Sequence, residues 1–305
     1  MMTGNEYKES LRKIHPRIYY MGEKIDCVVD HPMIKPHVNS AAMTYDLACD
    51  PMYENLMTAT SHLTGKKVNR FTHIHQSIED LVNKVKMMRM IAQKTGTCFQ
   101  RCVGFDAMNA TFITTYNMDK KYGTNYHERF KKWMTYVQEN DLMIAGAMTD
   151  VKGNRSLKPS KQADPDLFTH VVEKREDGVV ICGAKAHMTG MANSHEMLIL
   201  PTTNLLDGDQ DYAIACAVPV DAEGITHIFG RQTNDQRRLQ GDLDTGNSEY
   251  AIVGGETLTV LDHVFVPWDR VFMCGETDFA QDYVARFAAY HRQNYGGCKV
   301  GNSDV

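Results

Sequence analysis

Near residue 145 the apolar residues change their spacing, and that change decides what kind of fold the chain can adopt. Before it, apolar positions recur every three or four residues, as on one face of a helix. In HQSIEDLVNKVKMMRMIAQKTG, Ile78, Leu81, Val82, Val85, Met88 and Ile91 form such a stripe. Ser77 with Asp80 three residues on reads as a capping-box variant at its start, and Gly96 marks its end. NYHERFKKWMTYVQEN offers Asn125 as an N-cap and sets Phe130, Trp133, Met134 and Val137 on one face. From about Ala145 to Met273 short apolar runs alternate with turn residues, the pattern of strands. VVEKREDGVVICGAKAH reads as a hairpin turning at Asp177-Gly178, and DYAIACAVPV, THIFGRQ and TLTVLDHVFVP supply further strands. After Pro267 helical spacing returns through Phe279, Tyr283, Phe287 and Tyr290. The expected class is α+β: a helical domain at 1–144, a β domain at 145–275, and the first helix of another helical domain at 276–305. Helices draw most of their stability from packing, and nothing follows this last one to cover its apolar face. The chain therefore reads as part of a larger protein.

Composition excludes several classes. With 43% hydrophobic and 23% charged residues the chain is that of a globular protein. A net charge of -5 without a long basic run gives no nucleic-acid footprint. No run of about 18 apolar residues exists and the first residues are charged, so neither a membrane span nor a signal peptide is expected. Eight cysteines spread over 305 residues do not resemble a small disulfide framework and fit reduced thiols in a cytoplasm.

Two of those cysteines stand four apart in KTGTCFQRCVG, at Cys98 and Cys102. If the preceding helix ran through them, the thiols would share a face with Cβ atoms roughly 5–6 Å apart, too wide for an unstrained disulfide. Ordinary core thiols are the bland reading, because free cysteine is commonly buried. A metal centre needs about four ligands. AYHRQNYGGCKVG offers His291 and Cys298, two helical turns apart. By spacing alone, a structural zinc site and an iron–sulfur cluster are equally compatible.

KTGTCFQRCVGFDAMNA, AMTDVKGNR, GAKAHMTG and FAAYHRQNYGGCKVG occur in this order. Together they resemble the 4-hydroxybutyryl-CoA dehydratase (vinylacetyl-CoA Δ-isomerase) family, and the similarity runs from ESLRK and GEKIDCVVDHPMI onward. The resemblance implies an acyl-CoA-dehydrogenase-like fold with an N-terminal helical domain, a middle β-barrel and a C-terminal helical bundle, most of which is missing here. It implies FAD, a [4Fe–4S] cluster, an acyl-CoA substrate and an oxygen-sensitive homotetramer. A separate chain carrying the rest of the bundle is a further expectation.

Carried over by position, the resemblance makes Cys98, Cys102 and Cys298 ligands of three irons and His291 a weak ligand of the fourth. An imidazole leaves more readily than a thiolate, and an exposed iron is a Lewis acid toward a departing hydroxyl. Met148, Thr149, Gly153, Asn154 and Arg155 would contact FAD, with Met188 and Thr189 near the flavin ring. Tyr295 and Lys299 would position substrate; Glu256 would bind substrate or move a proton, and Gln100 would hydrogen-bond nearby. The implied reaction removes water from carbon 4 of the acyl chain after loss of the carbon-2 proton and one electron acidifies carbon 3. His291, once off the iron, is a candidate base. Two other expectations differ in class: a flavin-dependent aromatic hydroxylase of the 4-hydroxyphenylacetate type, and a zinc-stabilised subunit without catalysis.

Overall fold

The computed structural model describes residues 1–96, 98–230 and 255–303. Helices α1 (Gly4–Leu11), α2 (Lys35–Cys49), α3 (Glu54–Met57), α4 (Ile78–Thr95), α5 (Cys102–Tyr122) and α6 (Tyr126–Glu139) dominate the first part. Two small hairpins interrupt them, β1 (Ile18–Tyr20) with β2 (Glu23–Ile25) and β3 (Thr58–Thr60) with β4 (Lys67–Asn69). Strands β5 (Ile144–Ala147), β6 (His170–Lys174), β7 (Gly178–Thr189), β8 (Glu196–Ile199), β9 (Ile214–Pro219), β10 (Ile225–Phe229), β11 (Glu256–Pro267) and β12 (Val271–Cys274) follow, and then helix α7 (Ala280–Ser303). The end of the THIFGRQ run, Arg231 and Gln232, lies outside the described residues.

Described strands form a six-stranded sheet, β2-β1-β10-β11-β7-β6, and a four-stranded one, β12-β9-β8-β5. The hairpin β6–β7 is antiparallel, with Lys174 opposite Val179, and the Arg175 N–H donates to Gly178 O at 2.8 Å. Val179 and Ile181 of β7 and Val264 of β11 meet Met197 and Leu198 of β8 and Ala215 of β9 in one buried core. Facing each other across this core, the two sheets make a two-layer β unit. Strand β1 runs parallel to β10, with Ile18 opposite His227, so the N-terminal segment completes a sheet built mainly by later residues.

Helix α6 buries Phe130, Trp133, Met134 and Val137 into the same core, as its stripe predicts. Asn125 occupies the N-cap position but makes no side-chain cap. Asp119 does that work from the preceding helix, accepting the N–H groups of Tyr126 at 2.9 Å and His127 at 3.0 Å. A carboxylate at a helix N-terminus satisfies orphan donors and complements the dipole.

Helix α4 starts at the Ser77–Asp80 capping box and stops at Gly96, whose φ is 63°. Its buried face differs from the apolar stripe, because Ile78 is 81% exposed and Val82 46%, while Lys84 is fully buried. The reason is α7, which packs along α4 through Gly297 and Gly301. A Cβ on Gly297 would lie 2.8 Å from Val85 O, and one on Gly301 2.6 Å from Arg89 O. Backbones touch there, so the face that α7 covers is set by glycines and not by the richest row of apolar residues.

Candidate active site

Because α4 ends at Gly96, the helix does not continue through the two cysteines: Cys98 lies in the link and Cys102 is the first residue of α5. The two thiols nevertheless meet. The Cys102 hydrogen bond, helped by the Gln100 N–H and the charges of Lys299 and His291, holds the Cys98 thiol below its usual range, at about 7, against burial. Cys102, the donor of that bond, is pushed well up, and burial adds to the effect. Burial, then the neighbouring charge of Cys98, raises Cys298. Interactions of this range require proximity. Residues from both ends of the chain therefore share one seam between α4, α5 and α7.

On α7 the residues repeat with the helical period. Phe287, His291, Tyr295 and Lys299 follow at four-residue steps, a single row along the helix. The Phe287 ring stacks on His291 at 5.2 Å and 17°, and Tyr295 meets it edge-on at 5.2 Å. Tyr295 is 52% exposed, and the Lys299 ammonium sits 6.0 Å from its ring centroid. Behind this row lies Asp106, on α5 one turn beyond Cys102 and fully buried. Its Oδ1 accepts from Lys84 Nζ at 2.5 Å, and its Oδ2 lies 2.9 Å from His291 Nδ1 and also accepts from Asn294. Lys84 donates in addition to Tyr290 O at 2.8 Å.

Gln100 sits between the cysteines, 1% exposed and with φ of 66°. Such a conformation is costly for a residue with a Cβ and persists only where surroundings impose it. Its Nε2 is 2.5 Å from His37 Nδ1, and the Gly255 N–H donates to the same nitrogen at 2.9 Å. A backbone N–H can only donate, so His37 Nδ1 is an acceptor and Gln100 turns its NH2 toward it. That leaves Gln100 Oε1 buried without a hydrogen-bond partner among the described residues. The turn after β7 abuts this loop, since a Cβ on Gly190 would lie 2.7 Å from Gln100 O.

Other predicted residues gather in two places on the β unit. Thr189 and Glu256 stand opposite each other on β7 and β11, and their side-chain oxygens are 3.5 Å apart. His187 Nδ1 is 3.3 Å from Glu256 Oε2. Met188, next to Thr189, is buried. Farther along, Met148 is buried and its carbonyl accepts from Lys185 Nζ at 3.0 Å, while Thr149 O accepts from the Ala186 N–H at 2.7 Å. Gly153 has φ of 50°, and Gln162 Oε1 accepts the Asn154 N–H at 3.0 Å, which shapes the following loop. Arg155 lines a cavity of about 250 Å³ with Lys152, Lys158, Phe168 and Thr202. Three cations around one cavity suit an anionic group.

Sequence reasoning missed Lys84, Asp106, Asn294, His37 and His187. A usable signal existed for one of them: Asp106 stands four residues from Cys102 in the otherwise neutral CVGFDAMNA. An ionisable residue on a buried helix face calls for a partner. Elsewhere, Cys182, Asp262 and His263 bring their ligand atoms within 4.8 Å of one another. There His263 and Asp262 already bond at 2.7 Å, and the His263 N–H meets Cys182 Sγ at 3.3 Å.

The family model for the 4-hydroxyphenylacetate 3-hydroxylase N-terminal region matches residues 3–273. The chain belongs to that family. Among its members, a 4-hydroxybutyryl-CoA dehydratase/vinylacetyl-CoA-Δ-isomerase of Clostridium aminobutyricum is 57% identical over 100% of this chain and 62% of its own length. A solved oxygen-tolerant archaeal 4-hydroxybutyryl-CoA dehydratase from N. maritimus is 52% identical with a TM-score of 0.95, over 99% of this chain and 60% of the other. The oxygenase component of 4-hydroxyphenylacetate 3-monooxygenase, solved with FAD, is more distant: 27% identity and a TM-score of 0.81, over 100% of this chain and 62% of that one. At the level of fold alone a glutaryl-coenzyme A dehydrogenase superposes too, at 13% identity and a TM-score of 0.53, so the family fold is acyl-CoA-dehydrogenase-like. The chain spans about three fifths of the length of these relatives. Among the described residues no helix is long and apolar enough to cross a membrane.

Proposed function

We propose that this chain forms the N-terminal and middle parts of a cytoplasmic, tetrameric 4-hydroxybutyryl-CoA dehydratase that also isomerises vinylacetyl-CoA, with FAD and a [4Fe–4S] cluster. One observation carries the reading. Cys98, Cys102, Cys298 and His291, separated by roughly 190 residues of chain, meet in one seam in a protein 57% identical to a dehydratase of that name.

The donor set fits the cluster. Three thiols and an imidazole are soft and borderline ligands suited to iron and sulfide. Cys98 ionises at about 7, which lowers the cost of presenting a thiolate. FAD would sit along Met148–Arg155, its pyrophosphate toward the cations Lys152, Arg155 and Lys158 around the cavity and its ring toward Thr189 and Met188. When bound, the flavin would exchange single electrons with the acyl chain, and the iron opposite His291 would act as Lewis acid toward the leaving hydroxyl.

The chain's own residues do the rest. His291 has Nδ1 engaged by Asp106, so Nε2 is the nitrogen left to bind iron or take a proton. Tyr295 and Lys299, exposed in the same row, offer a hydroxyl and a charge to an acyl-CoA. Glu256 is held beside Thr189 and His187, placed to move a proton. Gln100 Oε1, buried and without a partner among the described residues, would accept a hydrogen bond from the substrate.

The test is purification without air, followed by iron, sulfide and FAD analysis and assay of crotonyl-CoA formation, with and without the C-terminal bundle supplied. About four irons and one FAD per chain with turnover is the expected result. FAD without iron in the completed protein would favour the aromatic hydroxylase, and zinc without turnover the non-catalytic subunit.

A further inference from the structure

We infer that Asp106, itself clamped by Lys84, is the positioning residue that fixes His291 as the Nδ1–H tautomer and so presents Nε2 to the metal centre. The inference rests on the cluster assignment above but concerns residues that assignment does not use.

Each contact constrains the next. A carboxylate only accepts, so the 2.9 Å contact between Asp106 Oδ2 and His291 Nδ1 requires the proton on Nδ1. Asp106 cannot turn away, because Lys84 Nζ holds the other oxygen at 2.5 Å. Lys84 in turn is tied to α7 through Tyr290 O at 2.8 Å, the residue before His291. Asn294, one turn beyond Tyr290, donates to the same Oδ2. The imidazole plane is fixed from both sides by Phe287 and Tyr295. A carboxylate behind a ligating histidine sets its tautomer and ring orientation. A buried pair serving stability alone would have no use for a third side chain on the solvent-facing row of another helix.

The Asp106→Asn substitution separates the two roles. Its single carbonyl oxygen would be claimed by the Lys84 ammonium, the stronger donor, and its NH2 would face His291. The imidazole would then switch to the Nε2–H tautomer, with no lone pair left on Nε2. Removing the competing charge as well, in Lys84→Met with Asp106→Asn, would let the amide oxygen turn to His291 and restore the original tautomer. Histidine-selective 15N spectra of the iron-free chain at about pH 8, above the ordinary histidine range, read the tautomer directly, with His291→Ala assigning the signal. The expected result is Nδ1–H in the wild type, Nε2–H in D106N, and Nδ1–H again in the double variant. A tautomer unchanged in D106N would overturn the proposal.

In the anaerobically loaded protein, nitrogen couplings to the reduced cluster supply the second reading. The wild type should show one coupling that H291A abolishes, with about four irons. D106N should lose that coupling and fall toward about three irons, and the double variant should regain both. If the tautomer switches in D106N but the wild type carries no iron, the cluster assignment fails while the positioning role stands. If iron and coupling persist in D106N, the positioning role fails while the cluster assignment stands.

Discussion

Two buried lysine–aspartate pairs stand in different halves of the molecule, and their surroundings differ in a way that separates architecture from chemistry. In the β unit Lys185 reaches Asp150 at 2.8 Å, and its remaining donors go to the carbonyls of Met148 and Leu200. Asp150 accepts the Thr169 N–H at 3.0 Å. Beyond the pair the partners are main chain, with the Thr169 side chain also beside Asp150, so the pair pins strands and loops. Burial pushes the Asp150 carboxyl up, and the ammonium opposes that shift. In the helical seam Lys84 spends one donor on a carbonyl, but Asp106 spends its second oxygen on His291 and Asn294. A charge pair saturated by main chain holds shape; one with a side-chain outlet also transmits orientation.

The largest effect that tests this contrast comes from stranding a carboxylate. Lys84→Met and Lys185→Met should each cost about 3–5 kcal/mol, read from denaturant midpoints. Neither should by itself lower iron per folded chain, because Asp106 still accepts from His291 without Lys84; iron loss in Lys84→Met alone would break that reading. Next come the paired replacements. Lys185→Met with Asp150→Leu should recover most of the lost stability and leave iron content intact, since apolar isosteres of a buried pair are often neutral. Lys84→Met with Asp106→Leu should recover stability but lose iron, since leucine offers His291 no acceptor, measured on the same samples.

Acid supplies a middle-sized effect. Burial, with Lys84 as the second cause, lowers His75 to about 3, and burial lowers His227 of the six-stranded sheet to about 4. The unfolded chain takes up protons near 6.5 while the folded one does not, so stability falls as pH drops below about 6.5. Between pH 6.5 and 5 the loss is on the order of 2 kcal/mol per histidine. Lys84→Met should shallow that slope and Lys185→Met should not, because only Lys84 adds to the His75 shift; urea midpoints across pH would show it. The smallest effect is at the start of α6. Asn125→Ala should change stability by less than about 0.5 kcal/mol, whereas Asp119→Ala should cost about 1 kcal/mol.

That last pair also shows what a sequence can and cannot disclose. Ser77, Asp80 and Gly96 are local signals, and the helix they bound is found where they put it. The α6 stripe, the hairpin at residues 170–189 and the order of helices and strands were equally legible, because each depends on neighbours in the chain. Ile78 and Val82 mislead because a stripe says that a helix has a face, not which face another helix will choose. Gly297 and Gly301 make that choice from more than 200 positions away. Lys84 and Asp106 were invisible as a pair for the same reason: they meet only when α4 packs on α5, and α7 then brings His291 onto Asp106. The cysteines and His291 were legible through their motifs, while the link that gives Gln100 a positive φ was not.

The seam also imposes a schedule on synthesis. Cys98 and Cys102 leave the ribosome early, and their α7 partners follow roughly 190 residues later. At about 5–20 residues per second that is an interval of about 10–40 s. Throughout it the Cys98 thiol is without Cys298, His291 and the helix that covers it. The early half of the chain is thus a nascent thiol pair awaiting its closure, open to oxidants and stray metal ions while the β unit is being made.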